Sequence, residues 1–412
     1  MRKPLSIAFI IRDPLPPTRA DVLTLFGAEM PRYGVHTELV GQAEGGEGEG
    51  SGAPWPGGSM HSVGSLRSRF ASVLSPLWDL RGLLRARGSR RPDCIQVRDK
   101  IASGLLGRLA AAVLRVPFVY WMSFPIVEGF EVRRDEIGRR RGWKARLVWL
   151  GHALRAAASR LVIYRLVLPG ARHIFVQSEA MAAWLAGQGF ARARMTAVPM
   201  GVDANVFDRA QVTPVEDARL DGRRVVIYLG RIAQSRRSDF LLDVAEALRG
   251  EVPDLLLVIA GDAASSDEMD WMRAEIARRS MHEHVLLTGW LPQRTALGYA
   301  VRAEVGLSPI PRGTLFDVSS PTKLVEYLAL GIPSVANDIP DQKLVVDESR
   351  AGLCAPMEAS AFAAAVQRLL QDKALAAEFA KRGPAYVRSH RTYAILGRIV
   401  AETYTKILPE QT

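Results

Sequence analysis

Cysteine is nearly absent from this 412-residue chain: Cys94 and Cys354 stand alone, far apart and without metal-ligand spacing. A disulfide framework and a thiolate-held metal are therefore both excluded, and the two are expected to be reduced cytosolic thiols. Long hydrophobic runs are missing too. No stretch of about 18 apolar residues runs without a charge or a breaker, which excludes a membrane-spanning helix. The apolar Leu5–Ile11 run behind Met1-Arg2-Lys3-Pro4 imitates the start of a signal peptide, but Arg12 and Asp13 cut it short. A buried first strand and a cytoplasmic chain are the expectation. No Gly-x-Gly-x-x-Gly follows a predicted strand, which argues against a nicotinamide dehydrogenase. No Asp-x-Asp pair ends a strand, and no metal site is expected. Acidic residues are in deficit: 54 Lys and Arg face 43 Asp and Glu, a net charge of +11. That balance points to polyanionic partners. The arginine clusters at 81–91 and 133–146 hold no series of interleaved aromatics, Trp143 standing alone, and no recognised binding motif, so no nucleic-acid partner is expected.

What is present is alternation. Short apolar runs read as strands at Ile7–Ile11, Thr37–Val40, Cys94–Val97, Val116–Trp121 and His173–Gln177, with helices over 20–33, 102–114 and up to about 188. Glu44–Ser59, rich in Gly, Glu and Pro, reads as a surface loop. After a polar stretch at Thr213–Gly222 that suits a linker, alternation resumes with strands Val225–Leu229, Leu255–Ala260, Val285–Leu287, Val305–Leu307 and Ser334–Ala336. Two helices, about 375–388 and 393–408, close the chain. Such alternation implies parallel sheets with right-handed crossovers. The fold class predicted is α/β, two Rossmann-like domains with parallel sheets facing across a cleft. Ligands are expected at the carboxyl ends of the strands. The domains expected are 1–205, completed by a C-terminal helix at about 390–412, and 220–389.

The most informative stretch is Ser319–Ala336, a polar loop opening an amphipathic helix that Gly331 ends. A helix N-terminus presents unpaired N–H groups and a positive dipole end, which suit a diphosphate. Glu326 lies about one turn in, within reach of a ribose diol. Tyr228-Leu229-Gly230-Arg231, followed by Arg236, is a second strand-end turn carrying cations.

Together these stretches resemble the family-four retaining glycosyltransferases of the two-Rossmann GT-B fold. Glu326-Tyr327-Leu328-Ala329-Leu330-Gly331-Ile332-Pro333 is similar to the family segment beginning on the second glutamate of a Glu-x7-Glu pattern. Gly230-Arg231 through Arg236 resembles a Gly-Arg-x4-Lys turn, with Arg236 in the lysine's place. Val198-Pro199-Met200-Gly201-Val202-Asp203 resembles the segment that closes the family's first domain. The first glutamate is missing: Val318 stands there, and only Asp317 is near enough to serve the sugar.

The resemblance implies a metal-independent enzyme that needs no cofactor beyond its substrate, a nucleoside-diphosphate sugar. Its hexose would pass to a glycan or a lipid-linked glycan in surface polysaccharide assembly. Arg231, Arg236, Lys323 and the N–H groups of Ser320 and Thr322 would stabilise the departing diphosphate. Gly230 would shape the turn and Glu326 would hold the ribose. Trp290 and Leu291 would face the base, although packing explains Trp290 as well. In the first domain Asp99, beside Arg98, and Ser123, in the turn after the Tyr120–Met122 run, would meet the acceptor. Asp99 reads equally as a helix N-cap. Two other functions fit the same architecture: a sugar-nucleotide 2-epimerase, and a degenerate subunit that binds a sugar nucleotide or glycan without turnover.

Trp143, Leu147, Leu150, Leu154, Ala158 and Leu161 recur at helical spacing among Arg139, Arg140, Arg141, Lys144, Arg146, Arg155 and Arg160. A helix packed on the first sheet produces such a pattern. So does a basic amphipathic helix over 139–161 lying on an anionic membrane at the inner face of the cell membrane.

Overall fold

The computed structural model describes residues 4–45, 51–89, 91–138 and 142–408. Its contacts divide the chain into two units, Met1–Pro199 with Tyr393–Thr412, and Met200–Thr392.

The first unit begins with β1 (Leu5–Ile10) and α1 (Ala20–Val22), which continues as a wide π-type turn, Leu23–Glu29, and a 3-10 turn, Met30–Tyr33. Gly34, at φ +71°, closes this helical stretch in the left-handed conformation that glycine adopts without strain. Next come β2 (Val35–Ala43), β3 (Ser51–Trp55), β4 (Gly58–Ser65), α2 (Ala71–Ser89), β5 (Cys94–Arg98) and α3 (Ala102–Leu114). β6 (Phe118–Met122), α4 (Ile126–Gly138) and α5 (Trp143–Leu161) follow, then α6 (Leu168–Gly170), β7 (His173–Val176), α7 (Glu179–Gly187) and β8 (Met195–Ala197). The sheet runs β3-β4-β2-β1-β5-β6-β7-β8, parallel except for the β3–β4 hairpin.

The expected Glu44–Ser59 loop is therefore corrected: much of it pairs. Residues 46–50 lie outside the described residues, but Ser51–Trp55 and Gly58–Ser65 form an antiparallel ladder, and β4 adds to the edge of β2. Trp55 drives this. Its ring is buried against Gly27 and Gly57, and its indole N–H donates to the Thr37 carbonyl at 3.3 Å.

The second unit runs β9 (Arg224–Leu229), α8 (Phe240–Leu248), β10 (Leu255–Ala260), α9 (Ser266–Arg278), β11 (Val285–Gly289), α10 (Gln293–Ala300) and β12 (Val305–Ser308). It continues with α11 (Thr314–Asp317), α12 (Thr322–Ala329), β13 (Ser334–Ala336), α13 (Pro340–Ser349), β14 (Gly352–Cys354), α14 (Ala359–Gln371) and α15 (Lys373–His390). Its sheet is parallel throughout, in the order β11-β10-β9-β12-β13-β14. β8 and β14 are short strands that the sequence reading passed over. The stretch taken for a linker is docked on this unit. Val215 N–H donates to the Gly298 carbonyl at 3.2 Å, Tyr299 bonds Asp217 at 2.7 Å, and Leu220 enters the core.

The last helix, α16 (Tyr393–Ile407), belongs to the first unit. Tyr393, Leu396, Val400, Ala401 and Tyr404 pack among Ile7, Phe9, Phe26 and Phe175.

Candidate functional site

In the second unit, β9 ends at a glycine because nothing larger fits. Gly230 has φ +145°, and a Cβ there would sit 2.5 Å from Lys323 Cε. Gly261, after β10, approaches so closely that a Cβ would lie 2.0 Å from the Gly230 carbonyl oxygen. This crowding turns Arg231 outward, where it is exposed. Arg236 is half-buried. Among the described residues neither guanidinium has a hydrogen-bond or ion-pair partner.

Lys323, in the first turn of α12, reaches back to this turn. It is buried, and its ammonium lies 5.0 Å from the centre of the Tyr228 ring, whose hydroxyl donates to the Arg231 carbonyl at 3.2 Å. Tyr327 sets the register of α12 against β9. Its fully buried hydroxyl accepts from Leu229 N–H at 2.7 Å, and its ring covers Gly306. Two segments about ninety positions apart in sequence, Gly230–Arg231 and the start of α12, thus meet around one ammonium group.

Glu326 is half-buried, not the surface glutamate that its helical position alone suggests. Burial pushes its carboxyl up from the ordinary range, opposed by the Lys323 charge and a hydrogen bond from Thr322. The N–H groups of Ser320 and Thr322 make no hydrogen bond among the described residues. The Ser320 hydroxyl is already engaged: it accepts from Met200 N–H at 2.9 Å and donates to Asp341 at 2.7 Å. Asp341 in turn is held by Arg391 at 2.8 Å. Asp317 forms a two-bonded pair with Arg312, 2.8 and 3.3 Å, while the neighbouring Val318 is buried. Trp290, just past Gly289 (φ +71°), is 72% exposed, so packing is not what it does. Leu291 is half-buried against the core.

In the first unit Asp99 follows β5 in the left-handed region, φ +49°, and is not a helix cap, since Ile101 holds that position without a side-chain bond. Its carboxylate instead accepts from Ser123 N–H at 2.8 Å and from the Ser123 hydroxyl. Burial raises the Asp99 pKa against the pull of Arg98 and Ser123. Arg98 is wholly buried. It donates to Asp21 and, at 3.3 Å, to Ser123 Oγ, and two of its nitrogens have no hydrogen-bond partner. Burial alone would raise Asp21, but Arg98 and Arg19 outweigh it and hold this carboxyl below the usual range. Sequence reading missed Asp21 and the central position of Arg98. An acid in a first helical turn carries no signal beyond the helix dipole.

Residues 223–372 match the model of the glycosyl transferases group 1 family, and residues 20–201 match that of the glycosyl transferase 4-like domain. Among curated proteins, the chain is 24% identical over 189 residues to an alpha-D-kanosaminyltransferase of Streptomyces kanamyceticus, covering 46% of this chain and 47% of the relative. It is 29% identical over 196 residues to a phosphatidyl-myo-inositol mannosyltransferase of Mycolicibacterium smegmatis, covering 47% of each. The chain spans about half the length of the curated relatives it matches. Among solved structures, sucrose-phosphate synthase from Thermosynechococcus elongatus superposes with a TM-score of 0.71 at 18% identity, over 98% of this chain and 99% of that one. HepE from Anabaena, in complex with UDP and glucose, gives 0.66 at 16% identity, over 97% and 99%. These two share the fold, which is GT-B. With family profiles matched in both units, the chain belongs to the group 1 glycosyltransferases.

Proposed function

We propose that the protein is a retaining, metal-independent glycosyltransferase that moves a hexose from a nucleoside-diphosphate sugar to a glycan or lipid-linked glycan, in surface polysaccharide or glycoconjugate assembly. The observation that carries this reading is the meeting of the Gly230–Arg231 turn with the first turn of α12 around Lys323. Arg231 and Arg236, and the N–H groups of Ser320 and Thr322, all without a partner among the described residues, are the right groups for a diphosphate. As the sugar–phosphate bond breaks, positive charge develops on the sugar and negative charge on the departing diphosphate. Fixed cations and helix N–H groups stabilise the second without reorganising. No metal is then required for that task.

In this reading Glu326, as a carboxylate, accepts the ribose hydroxyls, and Trp290 offers an exposed face to the base. Asp317 meets the sugar only by exchanging Arg312 for it. Ser123, fixed by Asp99, orients the acceptor hydroxyl. The names of the curated relatives, a kanosaminyltransferase and a mannosyltransferase, support sugar transfer, and the UDP bound by HepE supports a nucleotide donor.

Thermal stabilisation by UDP, GDP, ADP and inorganic phosphate tests the donor site. One nucleoside diphosphate should stabilise the wild type, with or without EDTA. Arg231→Ala should bind it roughly tenfold to a hundredfold more weakly, the worth of a charge-assisted hydrogen bond. Glu326→Ala should lose most of the stabilisation by the nucleoside diphosphate while inorganic phosphate still acts. Stabilisation that is unchanged in both variants, or that vanishes with EDTA, overturns the assignment.

A further inference from the structure

The helix over 143–161 does not pack its apolar stripe on the sheet, which corrects that expectation. Trp143, Leu147 and Leu154 are 69%, 61% and 63% exposed, and Val148, Trp149 and Leu150 are exposed beside them. α5 leans on α4: Trp149 lies against Gly138, and the Arg155 guanidinium sits 4.4 Å from the centre of the Phe130 ring. Toward its C-terminal end it is anchored: Ala156 and Ser159 are buried, Arg160 pairs with Glu131 of α4 at 2.9 Å, and Ile163 and Tyr164 beyond it are buried. Arg139–Arg141 lie outside the described residues. Soluble surfaces seldom carry so many contiguous large apolar side chains without a partner.

The charge on α5 selects the partner. The helix carries Lys144, Arg146, Arg155 and Arg160 and no Asp or Glu. Arg160 is spent on the acids of α4. At the distal end the Lys144 ammonium lies 5.7 Å from the Trp143 ring centre, and Arg146 has no ion-pair partner among the described residues. A second copy docked on the same face would set these cations against their own equivalents. A nucleic acid would leave the leucines in water. A bilayer with anionic headgroups meets both needs in one layer, with acyl chains for the stripe and phosphates for the flanking cations, and tryptophan suits the boundary between them. No helix among the described residues is long and apolar enough to cross a membrane, so the helix can only lie on one.

We propose that the α4–α5 hairpin is a docking element for an anionic lipid bilayer, with Trp143, Leu147, Leu150 and Leu154 entering the headgroup layer and Lys144 and Arg146 bound to its phosphates. The element belongs to the first unit and the donor residues to the second, and the proposal does not depend on the proposed transfer. The test is co-sedimentation of the full chain with vesicles of phosphatidylcholine, with and without phosphatidylglycerol. Wild type should pellet with the anionic vesicles only and be released by salt. Leu147→Glu/Leu154→Glu and Lys144→Glu/Arg146→Glu should each partition about tenfold less or weaker still. Because these side chains are exposed, both variants should melt at the wild-type temperature. Should either melt lower, quenching of tryptophan fluorescence by brominated lipid, present in wild type and reduced in Trp143→Phe, decides the matter. Binding that is equal in all variants, or absent from anionic vesicles, overturns the proposal. So does a wild-type dimer that Leu147→Glu/Leu154→Glu separates into monomers.

Discussion

Asp21 and Asp99 both approach the buried Arg98 guanidinium, yet their pKa values move in opposite directions. The folded pKa of Asp21 lies below its unfolded value of 3.8, so its stabilisation is complete above that value and is lost as pH falls through the folded pKa. Asp99 has a folded pKa above 3.8. Its ionisation therefore weakens the fold as pH rises from 3.8 through the folded value, and the effect is constant beyond. Asp21→Asn should cost about 3–5 kcal/mol at neutral pH, because it strands a buried guanidinium. Asp99→Asn should cost much less and should flatten the change in stability as pH rises above 3.8. Urea denaturation from pH 3.8 to neutral pH measures both, and equal losses would refute the division of roles. None of this was legible beforehand. Burial and the distance between residues 77 positions apart decide the shifts, and neither is encoded near Asp21.

At the scale of the element, legibility followed locality. α3 occupies the range its apolar spacing predicts, and α12 opens and closes where the polar loop and Gly331 imply. Helices are built from neighbours in sequence, so their pattern and caps are written in one window. The β3–β4 hairpin is the opposite case. Its composition reads as loop, and it exists because β2 offers a free edge and Trp55 finds a slot between Gly27 and Gly57. Trp55→Ala should therefore destabilise the first unit by about 3–5 kcal/mol, the usual cost of emptying a large aromatic site. Hydrogen exchange should show protection lost first along residues 51–65. Protection that persists there would mean that the ladder, not the indole, holds the hairpin.

The whole molecule is two cores on one chain that passes from the first unit to the second and back. Each of β9–β14 and the helices around them lies within Met200–Thr392, whereas the first unit is completed only by α16, whose apolar face sits among Ile7, Phe9 and Phe175. A chain ending at Thr392 should leave the first unit without six core side chains and unfolded, with the second unit still melting cooperatively. A fragment spanning 200–392 should fold by itself. Circular dichroism and calorimetry on the two chains decide this, and a first unit that stays folded without α16 would contradict the packing described.

By itself the sequence determined the parallel α/β class, most strand and helix positions, and the two cation-bearing turns, since each rests on short-range periodicity or on residues needed at one backbone position. Only the tertiary structure decided that Lys323 lies against the Gly230 turn, that Arg98 joins Asp21 to Ser123, that Asp317 is taken by Arg312, and that the stripe on α5 faces outward. Helical spacing states that an apolar face exists. What covers that face depends on elements distant in sequence, because burial is a property of surfaces that meet in space and not of the segment that carries them.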